Sequence, residues 1–414
     1  MTAVDRQRLT YRYERLRAPA SGVIEAAGMT FLLLIAVRHF ECGAVPKAII
    51  GAGSSFGLML GPWLVSRVQS AQLPACWAAA LTVLAGGGLF AVAAVLPFEP
   101  VFVLCAAAAM ACATLTVPLM TQVYHENYPE RERGTLFSRT VMIRIAAAGL
   151  FSYIAGEALS DHLHRFQWLL LVFAGAFGFS AWCLQRCPSR PLTHAAGTHP
   201  FRALRFARED RLFRQTLISW MFLGFGNLMM VPLRVEYLAN PAHGWTVDDL
   251  PLTAATIALL TGVVPNAARL LLNPFWGWVF DRMNFFVLRM ALNVGFLLGI
   301  LTFFLSGSLM GLVLGGVFYG ISHAGGDVAW SLWVTKFAPP ERVADYMAVH
   351  AFFTGVRGVV APLVAFQLVT VLPVHLLAWI SGALIVCGTL VLIPEVPLGR
   401  GRQPAAALTE DVLD

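Results

Sequence analysis

Long apolar runs broken by short polar stretches set the pattern of this chain. The runs fall at 19–40, 47–66, 73–96, 100–124, 134–159 and 166–186, then at 214–236, 252–280, 285–306, 309–336, 343–370 and 372–394. Each is close to the roughly 20 mostly apolar residues that a helix needs to cross a bilayer. The pattern predicts an all-α polytopic membrane protein with twelve transmembrane helices, six on each side of a gap. Residues 187–213, with Pro188, Pro191 and Pro200 and then Arg202, Arg205, Arg208 and Arg211, read as a basic linker. It joins an N-terminal half, 1–186, to a C-terminal half, 214–414. The halves echo each other: Pro129-Glu130-Arg131 follows the fourth run and Pro340-Glu341-Arg342 follows the tenth. Proline followed by an acid suits a helix N-terminus, where the missing N–H costs nothing and negative charge meets the positive dipole end. The repeat points to two pseudo-symmetric six-helix units, a device of transporters.

Composition agrees, with 58% apolar and 13% charged residues against roughly 45 to 50% and about 25% in soluble domains. Sorting Lys and Arg between alternate faces assigns twenty-one of 29 to the face of the termini. Arg38, Lys47, Arg165 and Arg234 fall on the other face, and Arg139, Arg144, Arg269 and Arg357 lie within helices. The asymmetry predicts cytoplasmic termini in a plasma (inner) membrane protein. The five arginines of the first seventeen residues make that stretch too charged for a cleavable signal, so the first helix is expected to stay as an anchor. The net charge of +6 is spread over short loops with no nucleic-acid motif, which removes nucleic acid as a partner. Seven cysteines form no CxxC pair and sit mostly in apolar runs, so no disulfide or metal framework is expected. No phosphate-binding loop, metal spacing or nucleophile motif marks an enzyme or a cofactor site.

Charges at membrane depth are expensive and mark cavities or partners. Glu25 lies in helix 1, Arg144 in helix 5, Arg269 in helix 8, His323 and Asp327 in helix 10, and Arg357 in helix 11. His323 and Asp327 are four apart and share one face, with Trp330 on much the same stripe. They form either a proton-titrating pair beside an aromatic wall or an ion pair that locks helix 10. Glu25 is a second proton carrier or an interfacial acid. Gln122 and Asn227 are ligand hydrogen-bonders or interhelical clasps. The arginines suit an anionic or polyhydroxylated organic solute, and Arg269 is the preferred contact. Gly53, Gly57 and Gly61 at four-residue spacing bring two helices close.

Gly277, Asp281, Arg282 and Arg289 stand between helices 8 and 9, and Pro129, Arg133 and Gly134 between helices 4 and 5. In these residues, joined to the six-plus-six layout, the chain resembles the major facilitator superfamily. The equivalent first-half stretch departs from that pattern, with Val65 in place of the acid. The resemblance implies that helices 1, 4, 7 and 10 line a cavity, that 2, 5, 8 and 11 flank it, and that 3, 6, 9 and 12 face lipid. It also implies that helix 11 packs on the glycine stripe of helix 2. A gating latch is expected from Asp281, Arg282 and Arg289 near Glu341 and Arg342.

The function expected is secondary active transport of a small organic solute by alternating access, coupled to a proton or another ion, in a monomer without cofactor. A transporter-like sensor or scaffold is the alternative, ahead of a membrane-embedded transferase.

Overall fold

The computed structural model describes residues 2–160, 162–191, 202–247, 250–336 and 343–400. Twelve helices in it are long and apolar enough to cross a membrane. They are α1 (Val4–Arg38), α2 (Ala44–Ser70), α3 (Ala75–Val95), α4 (Glu99–Asn127), α5 (Glu132–Ser160) and α6 (Leu163–Gln185). After the linker come α7 (Arg211–Ala239), α8 (Ala254–Phe280), α9 (Phe285–Leu305), α10 (Leu309–Asp327), α11 (Tyr346–Leu368) and α12 (Val374–Val396). The α8 helix continues to Arg282 and the α10 helix to Leu332. A two-stranded hairpin, Thr246–Val247 with Leu250–Pro251, sits between α7 and α8.

The first helix begins well before its apolar run. Thr2 and Asp5 form a reciprocal capping box, the Asp5 N–H donating to Thr2 Oγ1 at 3.1 Å and the Thr2 N–H to Asp5 Oδ2 at 3.1 Å. Such a cap satisfies two of the donors that a helix start leaves orphaned. The charged stretch is then held against α4 and α5. Arg17 pairs with buried Glu14 at 2.8 Å, the Tyr124 hydroxyl donates to Glu14, and Gln7 donates to Glu132 at 2.7 Å.

Neighbours repeat with a period of six helices. Helix α1 packs on α5 and α6, α2 on α4, and α3 on α4 and α6; α7 packs on α11 and α12, α8 on α10, and α9 on α10 and α12. The long contacts that cross between these groups are α2 with α11 and α5 with α8. Leu81, Leu84 and Val92 of α3, Leu171 and Val172 of α6, Val294 and Leu298 of α9, and Val386 and Leu390 of α12 are exposed, the surface that lipid would cover.

Small residues make these approaches possible, but not all as the sequence suggests. A Cβ on Gly53 or Gly57 would strike the α4 backbone at Ala107 or Ala111, and one on Gly61 would crowd Pro118. The α2 glycine stripe therefore receives α4 of its own group, not α11. The opposite face of α2 meets α11, where it is α11 that supplies the small residues: Gly355 lies on the Met59 backbone and Gly358 on Ser55. Periodicity alone reports that a face is narrow, not who fills it.

Two turns widen to π-helix, Ala27–Phe31 in α1 and Leu259–Val263 in α8. The second ends just before Val264-Pro265, and Pro265 has no N–H for the carbonyl four residues back. The two turns touch, with the Thr30 and Thr261 hydroxyls 3.1 Å apart. Beyond them, at the end of the bundle away from the termini, Lys47 of α2 pairs with Glu236 of α7 at 2.7 Å, both side chains buried. Arg38 donates to the Ala239 carbonyl and, at 3.0 Å, to that of Leu252. These bonds bind α1 and α2 to α7 and to the start of α8.

The close contacts can be tested with a matched pair. Gly57→Ala places a methyl group against the α4 backbone, whereas the Gly88 position has nothing within 4 Å. In purified protein Gly57→Ala should lower Tm, overpacking costing roughly 1–3 kcal/mol. Gly88→Ala should hold or raise it, alanine being the better helix former by about 1 kcal/mol. Equal Tm values for the two would remove the α2–α4 contact as described.

Candidate functional site

Four helices bring their charges to one place. At Gly22 a Cβ would collide with the carbonyl of Arg144 and the backbone N of Ala148, so α1 and α5 touch backbone to backbone. One turn further along α1, Glu25 reaches Arg144, whose Nε lies 3.0 Å from Glu25 Oε2. On the opposite side a Cβ at Gly320 would strike the Pro265 carbonyl. One turn from that crossing, Arg269 of α8 faces α10, and its Nε lies 2.6 Å from Asp327 Oδ2. The other arm of Arg269, Nη1, binds Glu25. His323 Nδ1 completes the series 3.9 Å from Asp327 Oδ2.

The result is an unbroken run, Arg144 to Glu25 to Arg269 to Asp327 to His323, which passes from the first six helices to the second. Arg269 is its centre, buried and shared by two carboxylates from different groups of helices. A guanidinium suits that place because its planar fork bonds two acceptors in fixed directions. Two arginines and two carboxylates balance when all are ionised. Removal of one member of a buried pair leaves an uncompensated charge, at a cost of roughly 3–5 kcal/mol. Beside the run lies a cavity of about 20 Å³ lined by Glu25, Met29, Asn266, Arg269, Tyr319 and His323 among others. That is space for about one water molecule. With the helices as they stand there is no room for an organic solute.

The other expected residues are placed elsewhere. Gln122 donates to Glu126 at 2.8 Å, one turn along α4. Asn227 lines a second cavity, between α7, α9 and α10. Trp330 stacks near His350, with ring centroids 5.6 Å apart. Arg357 is buried against α7 and donates to the Trp220 carbonyl at 2.6 Å and to Thr354 Oγ1 at 3.1 Å. Its Nε and Cζ occupy the space a Cβ on Gly224 would fill. It is therefore a packing element of α7 and α11, apart from the central run. Arg269, expected to meet the solute, is occupied by both acids.

At the end of α8, Gly277 is open to its surroundings, and Arg282 donates to the Trp278 carbonyl at 3.4 Å with its Cζ 4.5 Å from the centre of that ring. Arg289 is buried, its Cζ 3.8 Å from the Trp220 ring centre. The Asp281 side chain, Glu341 and Arg342 lie outside the described residues, and with them the proposed latch.

Sequence reasoning missed three groups. Arg234, expected on the face away from the termini, is buried inside α7 over the Tyr319 ring. Lys47 and Glu236 form a clasp, and Thr30 meets Thr261. The apolar residues on both sides of Arg234, Met229 to Leu233 and then Val235, carried the signal that it lies inside the span.

The Major Facilitator Superfamily model matches residues 235–412. Solved transporters share the fold over nearly the whole chain. Nucleoside transporter NupG is 13% identical with a TM-score of 0.69, covering 93% of this chain and 98% of that one. D-xylose-proton symporter is 15% identical at 0.70, with 95% and 99% covered. The human organic anion transporter MFSD10 (TETRAN) is 14% identical at 0.62, with 93% and 99% covered. At these identities the likeness is one of fold. No curated protein matches the chain by sequence. Residues 235–412 thus match the Major Facilitator Superfamily model, and the chain as a whole shares the twelve-span fold of these solved transporters.

Proposed function

We propose that this protein is a transporter of the major facilitator superfamily that moves a small organic solute by alternating access, coupled to protons through the Glu25, Arg269 and Asp327 network. The observation that carries the reading is the single guanidinium held by two carboxylates from different helix groups. A proton on Asp327 would cancel one of the two negative charges and release one arm of Arg269, weakening the bond that ties α8 to α10 and leaving Glu25 as the remaining anion. His323, Tyr319, Asn266 and Arg144 are among the polar groups near Asp327 and Glu25. A buried network with balanced charge is costly to unbalance, so proton uptake and helix movement are linked by the same energy.

The halves that move are 1–186 and 214–414, joined by the linker 187–213, and the six-helix repeat of packing neighbours supports that division. The excess of Lys and Arg on the face of the termini supports cytoplasmic termini in the plasma (inner) membrane. In that orientation the Lys47–Glu236 pair and the Arg38 bonds seal the outer end, and the conformation described is closed to the outside. The protein acts as a monomer without a cofactor.

Asp327→Asn should abolish solute-driven proton movement in reconstituted vesicles while solute exchange at equal concentrations persists. The readout is a trapped pH-sensitive dye beside isotope exchange of the same solute. Wild-type proton movement in the variant would rule out coupling through Asp327. The outer seal is tested separately. In a background without native cysteines, Thr261→Cys lies beneath the seal. Glu236→Gln should raise its labelling by an impermeant maleimide several-fold, because Lys47 loses its buried partner. Unchanged labelling would mean that the pair does not hold the outer end closed.

A further inference from the structure

Beside Tyr319 the second cavity, about 10 Å³, is bounded by α7, α9 and α10 and lined by Asn227, Met230, Arg234, Gly299, Ile300 and Tyr319 among others. It lies within the C-terminal group of helices, not at the crossing of the two groups. Arg234 is nine-tenths buried, and its Nε and Nη1 have no hydrogen-bond partner. Among the described residues no carboxylate lies within ion-pair distance of it. Glu236, two residues on, takes Lys47 at 2.7 Å and Asn240 at 2.8 Å on its Oε1 and forms no ion pair with Arg234. Arg234 does face an aromatic ring, its Cζ 3.8 Å from the Tyr319 centroid. A cation–π contact is worth about 2 kcal/mol when desolvated, against a burial penalty of several kcal/mol per ion. Its positive charge thus lies inside the membrane without a carboxylate, whereas the run beside it pairs two arginines with two carboxylates. In the same cavity Asn227 Oδ1 also lacks a partner. Its amide has both donor and acceptor capacity, and the free oxygen calls for a donor on the ligand.

We propose that Arg234, Asn227 and Tyr319 form a subsite for a hydroxycarboxylate, the carboxylate on Arg234 and a hydroxyl donating to Asn227. The proposal rests on the transport reading and gives it a substrate class. An arginine fork matches the two oxygens of a carboxylate. A site built to pair buried polar groups rejects an analogue that leaves them unpaired. Tyr319 lines both cavities, so rotation of its ring would join the subsite to the central run. The described cavity holds about one water, and the ligand fits once the ring has turned. In this arrangement the anion meets Arg234, and Arg269 stays with the two acids that carry the proton.

The test is ligand-induced Tm and calorimetric Kd on the purified full chain. The probes are D-gluconate and L-lactate, their amides, acetate, and chloride. Wild-type protein should respond to a hydroxy acid and not to its amide. Acetate, without the hydroxyl, should bind at least about tenfold more weakly, the equivalent of roughly 1.4 kcal/mol. Arg234→Gln should lose the response, and Arg234→Lys, which keeps the charge without the fork, should retain part of it. Asn227→Ala should narrow the gap between the hydroxy acid and acetate. The proposal is overturned if neither hydroxy acid binds, if the amides bind equally, if chloride alone reproduces the shift, or if Arg234→Gln binds like wild type. Ligand binding at equilibrium does not require proton coupling, so loss of coupling through Asp327 and loss of this subsite are separately visible.

Discussion

Arg269 is held by Glu25 on one side and Asp327 on the other, and the arrangement of the membrane interior follows from that shared bond. A guanidinium at this depth is costly without anions, and two carboxylates are costly without cations. Arg144 supplies the second positive charge. The four groups come from α1, α5, α8 and α10, so their pairing fixes how those helices approach one another. Any movement that pulls Glu25 away from Arg269 must find new partners for both or neutralise one of them. This is the physical reason to place proton binding and helix movement in the same group of residues.

Backbone contacts set the precision of that site. Gly22 lets α1 rest on α5, and Gly320 lets α10 rest on α8, each one turn from a charge that must reach across. The paired π turns in α1 and α8 lie nearby and are joined by the Thr30–Thr261 contact. A π turn shifts the register of everything after it relative to an ideal helix, and such turns recur at functional sites. Here they separate the charged centre from the clasp at the end away from the termini, where Lys47 and Glu236 form the second buried ion pair between the helix groups.

The arginines of the interior divide by partner. Arg144 and Arg269 are neutralised by carboxylates; Arg357 is met by a carbonyl and a hydroxyl; Arg234 and Arg289 lie over the rings of Tyr319 and Trp220. Residue type alone treats these five as equal candidates for an anion. What separates them is the partner each one already has. By that measure the guanidinium expected to bind a solute is the best satisfied, and the one expected outside the membrane has two nitrogens, Nε and Nη1, without a partner.

The amino-acid sequence by itself determined the twelve spans, the six-helix repeat and the presence of charge on helices 1, 5, 8 and 10. These are local properties: a run of about 20 apolar residues against a hydrocarbon slab of about 30 Å is legible without knowledge of neighbours. The helical start of α1 among five arginines was less legible, because its capping box and the bonds of Glu14 to Arg17 and Tyr124 outweigh the charge. Which face meets which helix was not legible at all. The Gly53, Gly57 and Gly61 stripe describes a narrow face that α4 and α11 could equally fill. Arg234 and Arg269 differ in sequence by nothing that predicts two carboxylates for one and a tyrosine ring for the other. Only the tertiary structure decided those partners, because they depend on the rotation and approach of helices far apart in the chain.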